Sequence, residues 1–164
     1  MEQLTIIQKD NKIKTCAFTG HRELLPTFDA AGLWDAIEDV IQRGAEIFYN
    51  GMAVGFDMLA AEAVLALKKK YPQIKLVACI PFYNQEKYYD DTDKARYARI
   101  LKEADKQVIL SESFSREAPL KRDRYMADKA DVLIAYCKRN KGGTAYTVNY
   151  FRKIKPFHEI IRIN

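Results

Sequence analysis

Residues 46–62 read EIFYNGMAVGFDMLAAE, which combines an apolar run, a turn of small residues and the start of an amphipathic segment. The apolar run at 46–49 predicts a strand, and apolar residues at helical spacing from Phe56 to Leu67 predict a helix. Small residues in the turn between them leave the first N–H groups of the helix uncovered, so a phosphate can sit there. The stretch therefore predicts a strand–turn–helix unit with an anion-binding turn.

The same alternation extends along the rest of the chain. Further strands are predicted at 15–19, 75–80, 107–110, 131–136 and 159–163, and helical spacing recurs at 33–41, 95–101, 120–130 and 145–152. Several strands are apolar throughout, which is typical of a parallel sheet covered by helices on both faces. The sequence predicts an α/β fold, a Rossmann-like three-layer α/β/α sandwich with a mainly parallel sheet of about six strands. In such folds ligands bind at the carboxyl ends of the strands, where the strand order reverses.

Length and composition favour one domain over residues 1–164. The chain is 48% hydrophobic and 30% charged, as expected of a globular domain. No apolar run approaches the roughly 18 residues of a membrane span, and the first residues lack the pattern of a signal peptide, so a cytoplasmic location is expected. The three cysteines are far apart in the chain and predict buried thiols rather than a disulfide or metal site. A net charge of +5 favours anionic partners, either phosphorylated small molecules or nucleic acid.

The turn after the first strand reads Thr19-Gly20-His21-Arg22. Gly20 permits close approach of the backbone to a ligand, and Arg22 offers a planar set of donors suited to phosphate or carboxylate. His21 is a further donor candidate. The alternative is a tight turn that exposes two polar side chains.

The turn after the second strand supplies Gly51, Ala53, Gly55 and Asp57 as candidate ligand-binding residues. Its spacing matches neither GxGxxG nor the P-loop. Asp57 is either a favourable charge at a helix start or an acceptor for ribose hydroxyls.

The third strand ends at Pro81-Phe82, and more aromatic residues follow. Phe82 is predicted either to stack on a base or to anchor the loop to the core. After the fifth strand, Gly142-Gly143-Thr144 opens a helix directly behind a basic segment. This pattern favours a second phosphate-binding turn over simple helix capping.

These turns resemble the SLOG superfamily, a Rossmann-like group that includes DNA-processing protein A and the Lonely Guy phosphoribohydrolases. The resemblance is closest to its YspA/YpsA-type branch and covers nearly the whole chain. It implies binding of a nucleotide or nucleotide-derived ligand across the glycine turns. Neither a cofactor nor a metal ion is expected from the sequence.

The Lonely Guy enzymes use an Arg ahead of a Met and a Glu behind a Gly-Gly pair. The resemblance places Arg122 and Met126 at the first pair of positions, whereas Asn149 falls where the Glu is expected. Because Asn cannot ionise, N-glycosidic cleavage requires a carboxylate from elsewhere, and Asp57 and Glu62 are the candidates. The candidate catalytic residues are therefore Arg122 with Asp57 or Glu62.

The sequence thus favours binding or sensing of a nucleotide-derived ligand. The alternatives are an N-glycosidase acting on nucleoside monophosphates and, less favoured, a module that binds single-stranded DNA. Nucleic acid is accordingly the less favoured partner, and no membrane partner is expected. A homodimer is compatible with the sequence but not required by it.

Overall fold

Six parallel strands form one sheet in the computed structural model, which describes residues 12–164. The strands are β1 (Thr15–Gly20), β2 (Ile47–Asn50), β3 (Lys75–Ile80), β4 (Lys106–Ile109), β5 (Val132–Tyr136) and β6 (Ile160–Arg162). The helices are α1 (Ala30–Gln42), α2 (Phe56–Lys68), α3 (Asp91–Glu103), α4 (Glu117–Lys129) and α5 (Gly143–Ile154), and a 3₁₀ turn spans Gln85–Tyr88.

The sheet has the order β4-β3-β2-β1-β5-β6, and every neighbouring pair of strands is parallel. The chain builds outward from β1 to β4 and then returns to place β5 on the other side of β1. The strand order therefore reverses between β1 and β5. Gly20 at the end of β1 is in register with Tyr136 at the end of β5, so both strands finish at the same edge of this crevice.

Alternating strand residues feed two apolar cores. Phe18, Phe48 and Ile134 pack with α1, α2 and α3 on one face of the sheet. Ala17 and Leu133 pack with α4 and α5 on the other face. This division confirms the predicted three-layer α/β/α arrangement.

The edge strand β4 differs from the sequence expectation in detail. It lies at 106–109 rather than 107–110, and three of its four residues are exposed. An edge strand has a partner on one side only, and here that partner is β3, so its apolar run is less deeply covered than that of a central strand.

The cysteines occur as free thiols, of which Cys16 and Cys79 are buried as expected. Cys137 is only half-buried, because it follows the end of β5 and enters the loop that leads to α5. None of the helices formed by residues 12–164 has both the length and the apolar composition needed to cross a lipid bilayer.

Candidate functional site

A cleft of about 520 Å³ opens at the point where the strand order reverses. This volume lies in the usual range for small-molecule sites. The end of β1, the first turns of α4 and the start of α5 form its walls. The lining residues include Thr19, Gly20, His21, Arg22, Ala53, Asp57, Arg122, Asp123, Arg139, Lys141, Gly142, Gly143 and Thr144.

The N-terminus of α5 forms one wall and has no side-chain cap. Gly142 precedes the helix with φ +96°, a left-handed conformation that favours glycine. Apart from adjacent residues and the backbone of α5 itself, no atom lies within 4 Å of the positions where a side chain at Gly142 or Gly143 would begin. The first backbone N–H groups of α5 are therefore accessible, and the helix dipole makes this end attractive to an anion.

Two of the other helices, α1 and α3, partner a first-turn N–H with an Asp side chain. Asp29 accepts a 2.8 Å hydrogen bond from the N–H of Gly32 in α1, and Asp90 accepts one of 2.8 Å from that of Asp93 in α3. The start of α5 lacks such a cap, as does the start of α2 behind Gly55.

Three N–H groups of the Gly51–Asp57 turn, those of Met52, Ala53 and Phe56, already have partners. The side chain of Asn50 accepts a 2.8 Å hydrogen bond from the N–H of Met52 and donates one of 2.7 Å to the carbonyl of Asp57. The carboxylate of Asp57 accepts a long 3.4 Å bond from the N–H of Ala53. The N–H of Phe56 at the start of α2 donates to the carbonyl of His21 at 3.1 Å. Much of the anion-binding capacity that the sequence predicts for this turn is thus already occupied.

Three basic side chains line the cleft near the open helix end: Arg22, Arg139 and Lys141. All three are exposed, and none is in an ion pair with another described residue. Of the acidic residues that line the cleft, Glu23 is exposed, whereas Asp57 and Asp123 are buried in the wall, so the exposed rim carries a positive excess. Such a potential raises the local concentration of anionic ligands.

Arg122 lies buried at the cleft wall with 7% of its surface exposed. Its Nε donates a 2.7 Å hydrogen bond to Asp123, and its Nη1 donates one of 2.5 Å to the carbonyl of Gly51. Burial opposes the charged guanidinium, but the carboxylates of Asp123 and Asp57 outweigh it and raise the pKa of Arg122. The residue thus fastens α4 to the turn after β2 and keeps a positive charge beside the cleft.

Asp57 is also buried, with 6% of its surface exposed. Burial raises the pKa of its carboxyl to about 7, against the opposing effect of the positive charge on Arg122. A carboxyl with this pKa exchanges its proton near neutral pH, which is the behaviour required of an acid–base group.

His21 connects the two glycine turns. Its Nε2 accepts a 2.8 Å hydrogen bond from the N–H of Lys138 in the loop before α5. An accepting Nε2 places the proton of the neutral ring on Nδ1, which leaves Nδ1–H as the donor. Burial lowers the pKa of His21, and the nearby positive charge of Arg139 lowers it further, so the neutral form is favoured.

The structure brings ten of the predicted site residues together around the cleft: Thr19, Gly20, His21, Arg22, Ala53, Asp57, Arg122, Gly142, Gly143 and Thr144. Gly51 and Gly55 lie behind the cleft wall instead. A side chain at Gly51 would begin 2.8 Å from Nη1 of Arg122 and 2.9 Å from Oδ2 of Asp57, and one at Gly55 would overlap the carbonyl of Arg22. These two glycines shape the cleft by permitting close packing.

Pro81, Phe82 and Glu62 are not among the cleft-lining residues. Pro81 is buried, and Phe82 packs edge-to-face on Phe114 with ring centroids 5.3 Å apart. Glu62 forms ion pairs with Arg96 and Arg99 on α3. Asn149 is exposed and lines a separate groove beside Cys137 and Arg162.

Asp123, Arg139 and Lys141 line the cleft but were not among the predicted site residues. The two basic residues were detectable as the charged segment before Gly142, whereas Asp123 carried no signal beyond its position next to Arg122. No cluster of His, Cys, Asp and Glu suited to a metal ion occurs within the part of the chain that the structure describes.

The fold and this cleft define a SLOG-type Rossmann-like protein. The model of the YspA SLOG family matches residues 16–161, and the chain belongs to that family.

Two relatives from Bacillus subtilis (strain 168) illustrate the relationship. The chain is 31% identical over 141 residues to the "Uncharacterized SPbeta prophage-derived protein YoqJ". The aligned region covers 78% of this chain and 82% of that relative. It is 29% identical over 117 residues to the "UPF0398 protein YpsA", covering 69% of the chain and 64% of that relative.

Two solved structures share the fold. DNA processing protein A from Streptococcus pneumoniae superposes with a TM-score of 0.67 at 18% identity, over 94% of this chain and 51% of that one. DNA processing protein A from Helicobacter pylori, which has a single-stranded DNA binding mode, gives a TM-score of 0.65 at 16% identity. That match covers 93% of this chain and 66% of that one.

Proposed function

We propose that the cleft between β1 and β5 binds or senses a nucleotide or a nucleotide-derived phosphorylated ligand. The observation that carries the proposal is the open N-terminus of α5. Its N–H groups are uncapped, the space above Gly143 is empty of protein atoms, and the surrounding basic side chains are unpaired within residues 12–164. A phosphate is the anion that best matches several convergent N–H donors and a positive rim.

The orientation of the ligand follows from the positions of the start of α5 and of Asp57 and Arg122 in the cleft. Its phosphate lies on the start of α5, where Arg139 and Lys141 neutralise charge. The rest of the ligand extends over Asp57 and Arg122. The phosphate binds at α5 rather than at the Gly51–Asp57 turn, because the N–H groups of Met52 and Ala53 in that turn already have partners.

Calorimetric titration with adenosine, guanosine, cytidine and uridine 5′-monophosphates tests the proposal. The protein is expected to bind at least one of them more tightly than the corresponding nucleoside, because only the nucleotide carries the phosphate. Lys141→Ala should weaken nucleotide binding. Lys153→Ala removes the same charge from the distal end of α5 and should leave binding unchanged. Equal binding of nucleotides and nucleosides would contradict the proposal.

Hydrolysis of the N-glycosidic bond is a second candidate, favoured by the shared position of Arg122 and Asp57 on the cleft wall. Asp57 has a pKa near neutrality and can therefore supply the acid–base function that Asn149 cannot. Release of free base from nucleoside monophosphates by the wild-type protein, abolished in Asp57→Asn, would establish this activity. Glu62 is the weaker candidate because Arg96 and Arg99 hold it on another face.

Binding of single-stranded DNA is a third candidate, favoured by the fold shared with the Helicobacter pylori protein. Such binding would weaken steeply with salt, since it depends on phosphate contacts. An affinity for oligonucleotides that rises with length, and exceeds the affinity for every mononucleotide, would favour this function over a small-molecule ligand.

A further inference from the structure

One carboxylate oxygen in the cleft wall lacks a hydrogen-bond partner. Oδ1 of Asp57 is buried and accepts no bond from any described residue. It is the single buried side-chain nitrogen or oxygen of this kind within residues 12–164. Because a buried polar atom without a partner costs free energy, its retention at a ligand cleft points to a donor supplied by the ligand.

The surroundings of Asp57 contain both signs of charge. Five titratable or charged groups interact electrostatically with its carboxyl: Arg122 and Asp123 from α4, Arg22 after β1, Cys79 in β3 and Tyr89. The two arginines favour the ionised carboxyl, while burial and Asp123 oppose it. Burial dominates and raises the pKa to about 7, so near neutral pH one added hydrogen-bond donor is enough to favour the carboxylate.

We infer that Oδ1 of Asp57 accepts a hydrogen bond from a sugar hydroxyl, so that the cleft selects ribonucleotides over nucleotides whose sugar lacks hydroxyls. This inference rests on the proposed function, because it needs the phosphate at α5 to orient the ligand. A sugar is the next chemical group after the phosphate of any nucleotide. Its hydroxyls are the donors nearest to a phosphate held at Gly143.

Binding of a sugar hydroxyl to Asp57 also changes the protonation of the protein. A hydroxyl that donates to Oδ1 stabilises the ionised carboxyl and lowers the pKa of Asp57 in the complex. A ribonucleotide therefore displaces a proton from the protein near pH 7, which a nucleotide without the hydroxyls does not. The phosphate contributes equally to proton exchange in both ligands, so the difference between them reports on Asp57.

The test compares the tightest-binding ribonucleoside monophosphate with its 2′,3′-dideoxy counterpart, on the wild-type chain by calorimetry at pH 8. A hydrogen bond to a charged group predicts a preference of roughly 10- to 100-fold for the ribonucleotide. The preference should shrink at pH 6, where Asp57 is largely protonated. Titrations in two buffers of different ionisation enthalpy should show more proton release with the ribonucleotide.

Asp57→Ala and Asp57→Asn extend the comparison. Asp57→Ala should lose the preference while keeping the affinity for the dideoxynucleotide, since the phosphate site at α5 is untouched. Asp57→Asn keeps the shape of the side chain and should lose the difference in proton release. Equal wild-type affinity for the two nucleotides would overturn the inference and leave the proposed function in place. If neither nucleotide bound, the proposed function and this inference would both fall.

Discussion

The backbone N–H of Lys138 donates a 2.8 Å hydrogen bond to Nε2 of His21, which joins the loop before α5 to the end of β1. The carbonyl of His21 accepts from the N–H of Phe56 at the start of α2. One residue therefore holds the two glycine turns in a fixed relation. The bond exists only while the imidazole is neutral, because a protonated Nε2 cannot accept.

Replacement of His21 should remove an acid-sensitive contribution to stability. Its pKa is lower in the folded protein than in the unfolded chain, so the unfolded chain binds more protons, and stability from this group falls as the pH drops below about 6.5. His21→Ala should cost about 1–2 kcal/mol at pH 7.5 and less at pH 5.5. Urea denaturation at both pH values measures the difference. His158→Ala serves as the comparison: this exposed histidine contacts a carbonyl, that of Asp131, through Nδ1 at 2.8 Å, and protonation of the ring does not break such a contact.

Replacement of Asp57 by Asn should stabilise the ligand-free protein. The folded pKa of about 7 lies above the unfolded value, so the folded state holds the proton more tightly and loses stability as the pH rises from about 4 to about 7. The rise in pKa corresponds to about 4 kcal/mol as the ceiling at pH 8. Burial also raises the pKa of Asp123, so this residue likewise lowers the stability of the folded protein as the pH rises.

Thermal denaturation of Asp57→Asn at pH 4 and pH 8 checks this sign. The variant should melt above the wild type at pH 8 and close to it at pH 4. Asp35→Asn removes an exposed carboxyl from α1 and should change neither value. A variant that is less stable than the wild type at pH 8 would mean that the ionised Asp57 has a stabilising partner.

Alanine at Gly142, just before α5, and alanine at Gly143, its first residue, should affect stability differently. Gly142 has a left-handed φ of +96°, so Gly142→Ala introduces strain of about 1–3 kcal/mol and should lower the melting temperature. Gly143 does not have a positive φ, and its side-chain position is open, so Gly143→Ala should leave stability unchanged or raise it slightly. The new methyl group of Gly143→Ala projects into space that the phosphate needs. Its nucleotide affinity should therefore fall although its stability does not, which calorimetry and thermal denaturation together would detect.

The alternation of strands and helices was predictable because each element carries its own period of apolar residues. The three-layer fold and the position of the cleft at the carboxyl ends of β1 and β5 followed from it. Bond partners inside a turn were not predictable in the same way. Nothing in the sequence indicates that Asn50 and Asp57 use the N–H groups of Met52 and Ala53.

Positions on a helix explain two more differences. Glu62 follows Asp57 by five residues, which turns it by about 140° around α2 and directs it to Arg96 and Arg99. Asn149 likewise lies on a different face of α5 from Gly143 and is exposed outside the cleft. Its failure to match a Glu therefore says little about the cleft, in which Asp57 is the carboxyl with a pKa near neutrality.

Removal of Arg122 alone should destabilise the protein far more than removal of the whole buried pair. Arg122→Met leaves Asp123 buried without its 2.7 Å partner and also breaks the bond to the carbonyl of Gly51, so a loss of about 3–5 kcal/mol is expected. The double variant Arg122→Met/Asp123→Leu removes both charges and should recover much of this loss, because uncharged side chains avoid the cost of burying ions. Chemical denaturation of the two single variants and the double variant gives the coupling free energy between the residues. Additive losses in the double variant would show that Arg122 stabilises the fold through Gly51 rather than through Asp123.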